Sequence, residues 1–191
     1  MVSFAHSERV ALCQTFLAVG PDSPTLCEGW NTRDLAAHLV LRETRPDASL
    51  GTFVSRFADR TERVQDEIAG TPWTRLVARV QYPPRWSPLS RGPLAEAANR
   101  TEFFVHHEDV LRAQPSWDGV ARTLSPDHVE ALWADVRRSS RLLLRGAAVG
   151  VRISRTDTDD VIMCRQTQTE PAQRKSDAVE LLRSERATVL V

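Results

Sequence analysis

The sequence predicts a mainly α-helical protein in which a helical bundle is followed by a small α/β appendage. In residues 1–146, apolar residues recur at helical spacing in five or six segments, most of which end at proline or glycine. The period then changes to two, because Val151 and Ile153 alternate with polar residues, and a second apolar run, 161–164, follows an acidic turn. We therefore expect a bundle over residues 1–146 and a β-hairpin appendage over residues 147–191.

The helical segments follow one another in the order 4–19, 33–45, 49–69, 73–80, 94–113 and 125–145. Gly20 is expected to end the first helix, and Asn31 or Thr32 to cap the second. Residues 81–93 hold four prolines, which exclude regular structure and predict a rigid loop. This loop is either the lip of a pocket or a plain connector. Residues 176–191 predict a short helix and a strand.

Composition argues against several classes of protein. The net charge is zero and the basic residues are scattered, so nothing indicates a nucleic-acid footprint or a polybasic membrane surface. No apolar stretch is long enough to span a bilayer. The three cysteines are widely spaced without a C-x-x-C pair, which argues against a disulfide framework and fits a reducing cytoplasm. We expect a cytoplasmic protein that acts on a small molecule, with its oligomeric state left open.

The segment 94–113 carries the residues that best indicate chemistry. Glu102 and His106 are four residues apart and lie one above the other on a helix, and Asp109 shares their face. Apolar side chains of this segment point in many directions, which is typical of a buried helix. A buried carboxylate needs a partner. A metal ion is one such partner, and a simple Glu–His hydrogen bond is the alternative.

His38 is the candidate third ligand. It lies on the face of the second helix that Leu35 and Leu39 mark as buried, where a histidine is either a satisfied core residue or a ligand. With Glu102 and His106 it would supply two imidazoles and one carboxylate from two helices, as in metal sites of bundle cores. Three protein ligands leave coordination positions open, which is typical of catalytic sites. We expect Zn²⁺ first, while Ni²⁺, Fe²⁺ and Mn²⁺ suit the same donors.

Further polar residues are assigned supporting roles. Asp109 is expected to orient His106 as a hydrogen-bond acceptor or to pair with an arginine. Arg42, Arg45 and Arg85 are candidates for holding an anionic substrate. For Arg42 and Arg45 the alternative is a salt bridge with a neighbouring acid.

Three other residues with reactive side chains are given no part in the site. His107 lies about 100° from His106 around the helix and cannot share its face. Cys27 has no histidine close in sequence to activate it, so we expect a packed loop thiol. His128 has no neighbouring group in the sequence that indicates chemistry.

Four motifs, in this order, are similar to those of a known family. They are Leu26–Trp30 (LCEGW), Arg42–Asp47 (RETRPD), Pro84–Pro88 (PRWSP) and Glu102–Asp109 (EFFVHHED). The Trp30–Val40 segment, followed downstream by Glu102–Asp109, resembles the N-terminal domain of mycothiol-dependent maleylpyruvate isomerase and its relatives in the DinB-like superfamily. The four motifs together resemble more closely an actinobacterial family of metal-binding proteins in the same superfamily.

This resemblance covers residues 1 to about 153. It implies a DinB-like four-helix bundle that holds a divalent metal through His38, Glu102 and His106, and a low-molecular-weight thiol such as mycothiol as co-substrate. Relatives usually continue through another strand and an apolar helix before a closing strand. Residues 166–175 are polar instead, so we expect a C-terminal appendage that is incomplete relative to those proteins.

Three functional hypotheses follow. The first is a metal-dependent transferase or isomerase that uses a low-molecular-weight thiol. The second is a non-catalytic module that binds metal or a small molecule. The third is a purely structural helical protein with a Glu–His pair and no metal.

Overall fold

The structure is a computed structural model that describes residues 3–44, 58–87, 89, 92–147 and 149–164. Over these residues the chain is mainly helical, with one small antiparallel sheet. The helices are α1 (Phe4–Val19), α2 (Thr32–Thr44), α3 (Ala58–Ala69), α4 (Trp73–Gln81), α5 (Pro93–Arg112) and α6 (Pro126–Leu143). A 3-10 turn, Leu144–Gly146, precedes the strands β1 (Val151–Ser154) and β2 (Val161–Cys164). The chain divides into two compact units, Met1–Leu132 and Trp133–Val191.

The predicted helical class and the predicted order of elements are confirmed for the described residues, and local chemistry explains the boundaries. Gly20 ends α1 with a φ of +89°, a conformation that glycine adopts without steric cost. Asn31 caps α2, because its Oδ1 accepts from the amides of Arg33 at 2.9 Å and Asp34 at 3.1 Å. Pro93 opens α5, where its missing N–H costs no intrahelical bond. The first part of the predicted third helix, 49–57, lies outside the described residues.

The hydrophobic core of the first unit is built mainly from α1, α2, α4 and α5. Helix α1 packs against α4 and α5, while α2 packs against α3 and α4. The largest side chains of this core are almost completely buried, namely Leu12, Phe16, Leu35, Leu39, Leu41, Leu76 and Phe103. No helix among the described residues has the length and apolar content needed to cross a membrane.

A buried ion pair links these core helices. The carboxylate of Glu43 on α2 accepts two bonds from the guanidinium of Arg9 on α1, with Nη1 at 2.8 Å from Oε2 and Nη2 in contact with Oε1. Nη1 also donates to the carbonyl of Val80 on α4 at 2.7 Å, and the guanidinium lies 4.2 Å from the ring centre of Phe103 on α5. Arg9 therefore contacts three other helices, and both charges are shielded from water.

The proline-rich segment between α4 and α5 contains no helix or strand over its described residues, as predicted. Asn99 on α5 donates from Nδ2 to the carbonyl of Leu89 at 2.7 Å. This bond attaches the loop to the helix that carries Glu102 and His106.

The second unit contains the predicted β-hairpin. Strands β1 and β2 pair antiparallel, with Val151 opposite Cys164 and Ser154 opposite Val161. The Arg155 amide donates to the Asp160 carbonyl at 3.1 Å, which closes the polar turn. The helix and strand predicted within residues 176–191 lie outside the described residues.

Candidate metal centre

The three predicted ligands come together between α2 and α5. Nε2 of His38 lies 3.2 Å from Oε1 of Glu102, and Nε2 of His106 lies 3.5 Å from the same oxygen. One ligand atom from each residue lies within 4.8 Å of the other two. Bonds of about 2.0–2.1 Å to a tetrahedral ion place two ligand atoms about 3.4 Å apart. The observed spacings therefore fit a single cation held by all three side chains.

The site is largely buried but still reaches the surface. The side chains of His38 and His106 are each 16% exposed, and that of Glu102 is 25% exposed. The His38 ring packs against the Trp30 ring, with centroids 5.2 Å apart, and meets the His106 ring edge to face at 5.6 Å. These ring contacts restrict the orientations of both imidazoles, while the exposed edge leaves access for a small molecule.

Asp109 occupies the position expected of a residue that orients a ligand. Its Oδ2 lies 2.9 Å from Nδ1 of His106, one helical turn further along α5. A histidine that binds a metal commonly donates its second ring N–H to a carboxylate, which fixes the tautomer and the ring orientation. In this arrangement Nδ1 of His106 carries the shared proton and Nε2 faces Glu102.

The arginines predicted to hold a substrate differ in their placement. Nε of Arg42 lies 3.5 Å from Oε1 of Glu102, and its Nη1 donates to Oδ1 of Asn99 at 2.7 Å. Arg42 therefore helps to position the Glu102 carboxylate. Arg85 is exposed on the proline-rich loop, and Arg45 lies outside the described residues. The predicted substrate contacts of all three remain predictions.

The charges within the site reinforce one another. Burial raises the pKa of Glu102, but hydrogen bonds with His106 and His38 and the charge of Arg42 outweigh it and hold that pKa well below its usual range. Burial lowers the pKa of His106, while its hydrogen bonds with Asp109 and Glu102 raise the pKa to about 9. At neutral pH the metal-free site therefore pairs a carboxylate with an imidazolium, and a metal must displace a proton.

Cys27 is the neighbour of the site that the sequence did not indicate. Its Sγ lies 3.3 Å from Oδ2 of Asp109 and 4.0 Å from Nδ1 of His106. The expectation of a packed loop thiol rested on sequence distance, whereas α5 supplies a histidine 79 residues later in the chain. One signal was available, because Cys27 lies three residues before Trp30 in the same motif.

His107 points away from the candidate metal centre, as expected from its angle on the helix. Its Nδ1 lies 3.2 Å from Oε2 of Glu8, and its Nε2 lies 2.9 Å from Oγ1 of Thr15. Arg122 pairs with the same carboxylate at 3.2 Å. His128 lies nearby, with Nδ1 3.9 Å from Oε1 of Glu8. The sequence neighbours of His128 did not indicate this contact, which the fold creates by burying the ring beside the Glu8 carboxylate.

No protein-family model, curated protein or solved structure matches the chain. The convergent imidazoles and carboxylate suit coordination of a cation. The exposed edge and the neighbouring arginine suit an anionic small molecule.

Replacement of Asp109 tests the orienting contact. We expect Asp109→Asn to lower the affinity for Zn²⁺ by about 10–100-fold, because the amide no longer provides the carboxylate that orients and polarises His106. Competition with a chromophoric chelator measures this affinity. Asp22→Asn is the matched control, since Asp22 is exposed in the turn after α1. Equal affinities for the Asp109 variant and the unmodified chain would contradict the orienting role.

Proposed function

We propose that this chain binds a divalent cation at His38, Glu102 and His106. We propose further that it uses this cation to catalyse a transferase or isomerase reaction on a small molecule, with a low-molecular-weight thiol as co-substrate. One observation carries the metal site. Two imidazole nitrogens and a carboxylate oxygen lie within 4.8 Å of one another. They come from two helices, and His38 and Glu102 are 64 residues apart in the sequence. Zn²⁺ is the first candidate, and Ni²⁺, Fe²⁺ and Mn²⁺ suit the same donors.

We also propose a DinB-like four-helix arrangement and a cytoplasmic location. The motif resemblance and the core that α1, α2, α4 and α5 share support the first. Free thiols at Cys13, Cys27 and Cys164 support the second, because reducing compartments keep cysteines in this form. The motif resemblance alone supports mycothiol as the thiol.

The chemistry divides between the cation and the chain. His38, Glu102 and His106 would hold the cation and leave a position open to a small molecule, where the cation would supply Lewis-acid chemistry and would lower the pKa of a thiol or water. Asp109 holds the ring of His106 so that Nε2 faces the site. Arg42, whose guanidinium lies beside Glu102, can contact an anionic group of a substrate at the exposed edge.

Two other functions compete with this one. A non-catalytic module would hold the cation or a small molecule without turnover. A structural cluster would need no cation, and one observation favours it. Oε1 of Glu102 already has His38, His106 and Arg42 within 3.5 Å, so the carboxylate is satisfied by the chain itself.

Metal content separates the structural cluster from the other two functions. Elemental analysis of protein purified without chelators should find a bound divalent metal, and added Zn²⁺ should raise the melting temperature of the stripped protein. The absence of metal above trace, together with no thermal shift on addition of Zn²⁺ or Ni²⁺, would support the structural cluster instead.

Turnover separates the enzyme from the module. With Zn²⁺-loaded protein, mycothiol and an electrophilic substrate such as maleylpyruvate, we expect catalysis that His38→Ala abolishes, because it removes a ligand. His6→Ala is the matched control, since His6 is exposed on α1. Metal binding without turnover across a panel of thiols and electrophiles would support the module, and unchanged turnover in His38→Ala would reject a metal-dependent reaction at this site.

The affinity for the cation should increase with pH. Hydrogen bonds with Asp109 and Glu102 raise the pKa of His106 to about 9, so below that pH the cation competes with a proton for Nε2. Each pH unit below 9 should lower the apparent affinity by about tenfold. Calorimetric titration at pH 7, in buffers that differ in ionisation enthalpy, should report release of about one proton for the Zn²⁺ that binds at His38, Glu102 and His106. Binding without proton release would contradict a protonated His106.

A further inference from the structure

We infer that a second, thiophilic cation binds on the opposite side of His106, to Sγ of Cys27, Oδ2 of Asp109 and Nδ1 of His106. This inference builds on the proposed function, because it adds a cation beside the one held by His38 and Glu102. The ion belongs to the class of divalent cations that accept a thiolate ligand, such as Zn²⁺, Co²⁺ or Cd²⁺.

The spacing of the three atoms fits such an ion. Sγ of Cys27 lies 3.3 Å from Oδ2 of Asp109 and 4.0 Å from Nδ1 of His106, and the last two atoms are 2.9 Å apart. Bonds of about 2.3 Å to sulfur and about 2.0–2.2 Å to nitrogen and oxygen place tetrahedral ligand atoms about 3.3–3.6 Å apart. The three observed distances lie on both sides of this range, so small side-chain rotations bring all three atoms onto one ion.

The imidazole of His106 presents a different nitrogen to each group of ligands. Nε2 faces Oε1 of Glu102 at 3.5 Å, and Nδ1 faces Oδ2 of Asp109 at 2.9 Å. The two nitrogens are separated by the Cε1 carbon and their lone pairs diverge in the plane of the ring, so one ion at each nitrogen can be bound at the same time. His106 would then be a bridging imidazolate between two cations.

The second ion takes the place of two protons. In the metal-free protein the Cys27 thiol donates to Oδ2 of Asp109, which also shares a proton with Nδ1 of His106. Binding forms one bond each to sulfur, oxygen and nitrogen and releases the thiol proton and the Nδ1 proton to solvent. No electron is transferred, and no other reactant is needed.

The backbone already holds the thiol in position. Cys27 lies in the loop between α1 and α2, and its amide donates to Oγ1 of Thr25 at 3.2 Å. The neighbouring amide of Leu26 donates to the carbonyl of Asp109 at 3.2 Å, which attaches the loop to α5. Cys27 is only partly buried, so an ion can reach it from solvent.

Titration of the stripped full-length chain with Co²⁺ tests this site, because thiolate ligation gives an intense near-ultraviolet charge-transfer band that nitrogen and oxygen ligands do not. We expect two equivalents of Co²⁺ and one such band. Cys27→Ser should abolish the band and leave one equivalent. His38→Ala should remove the other equivalent and keep the band. Cys164→Ser, which changes a different buried thiol, should alter neither quantity.

The outcomes distinguish this inference from the proposed function. One equivalent without the band, lost in His38→Ala, would overturn the second site and leave the first intact. A band without the other equivalent would support the thiolate site and count against the first. A single equivalent whose band disappears in both Cys27→Ser and His38→Ala would indicate one shared centre and overturn the two-ion arrangement. A band lost in Cys164→Ser instead would assign the thiolate elsewhere and overturn the site.

Discussion

Replacement of Glu102 by glutamine should lower the affinity for Zn²⁺ by more than about 100-fold, because loss of an orienting residue alone costs about 10–100-fold. Oε1 of Glu102 is the atom that both His38 and His106 approach. Glutamine preserves the size of the side chain but replaces an anionic ligand with a neutral amide. Chelator competition measures the affinity, and circular dichroism checks that the variant remains folded.

The comparison should be made at two values of pH. Glu102 is one of the groups that raise the pKa of His106 to about 9, so its replacement also weakens the competition from protons. This secondary effect opposes the loss of affinity at pH 7 and is smallest near pH 9, where the full loss should appear. Glu28→Gln is the matched control, since Glu28 is exposed in the loop before α2. A change of less than about threefold at both values of pH would rule out Glu102 as a ligand.

Replacement of Glu43 by alanine should reduce the free energy of unfolding by about 3–5 kcal/mol, because it leaves the buried charge of Arg9 without its partner. The Arg9 and Glu43 side chains are only 7% and 2% exposed, so solvent cannot compensate for the lost carboxylate. Such a loss is a large part of the total stability of a domain of this size, about 5–15 kcal/mol. Denaturation by urea, followed by circular dichroism, measures it.

A double variant separates the cost of the unpaired charge from the cost of lost packing. Arg9→Met combined with Glu43→Leu replaces both charges with apolar side chains of similar volume, and such replacements are often neutral or stabilising. The double variant should therefore be clearly more stable than Glu43→Ala. If the free energy of unfolding of Glu43→Ala lies within about 1 kcal/mol of that of the unmodified chain, the ion pair contributes little to stability. Apolar packing alone would then hold the core together.

The elements with local signals could be predicted from the sequence. Gly20 and Asn31 mark helix ends through their own backbone and side-chain chemistry, so the local sequence is enough to predict these ends. The spacing of Glu102, His106 and Asp109 places them on one face of a helix without any knowledge of the fold.

The contacts that depend on tertiary packing could not be predicted. Arg9 is a polar residue in an amphipathic pattern, and only the packing of α2, α4 and α5 around it reveals a buried ion pair. Cys27 lies in a loop, which has no periodicity to indicate the direction of a side chain. His128 is buried against Phe4, with ring centroids 4.6 Å apart, a contact between distant parts of the chain.

The origin of the proposed ligands on two separate helices has a consequence for how long an ion stays bound. His38 comes from α2, while Glu102 and His106 come from α5, so no single peptide segment offers all three donors. Proteolytic cleavage between α2 and α5, or denaturation, should therefore release the ion. Its dissociation should coincide with loss of the tertiary structure.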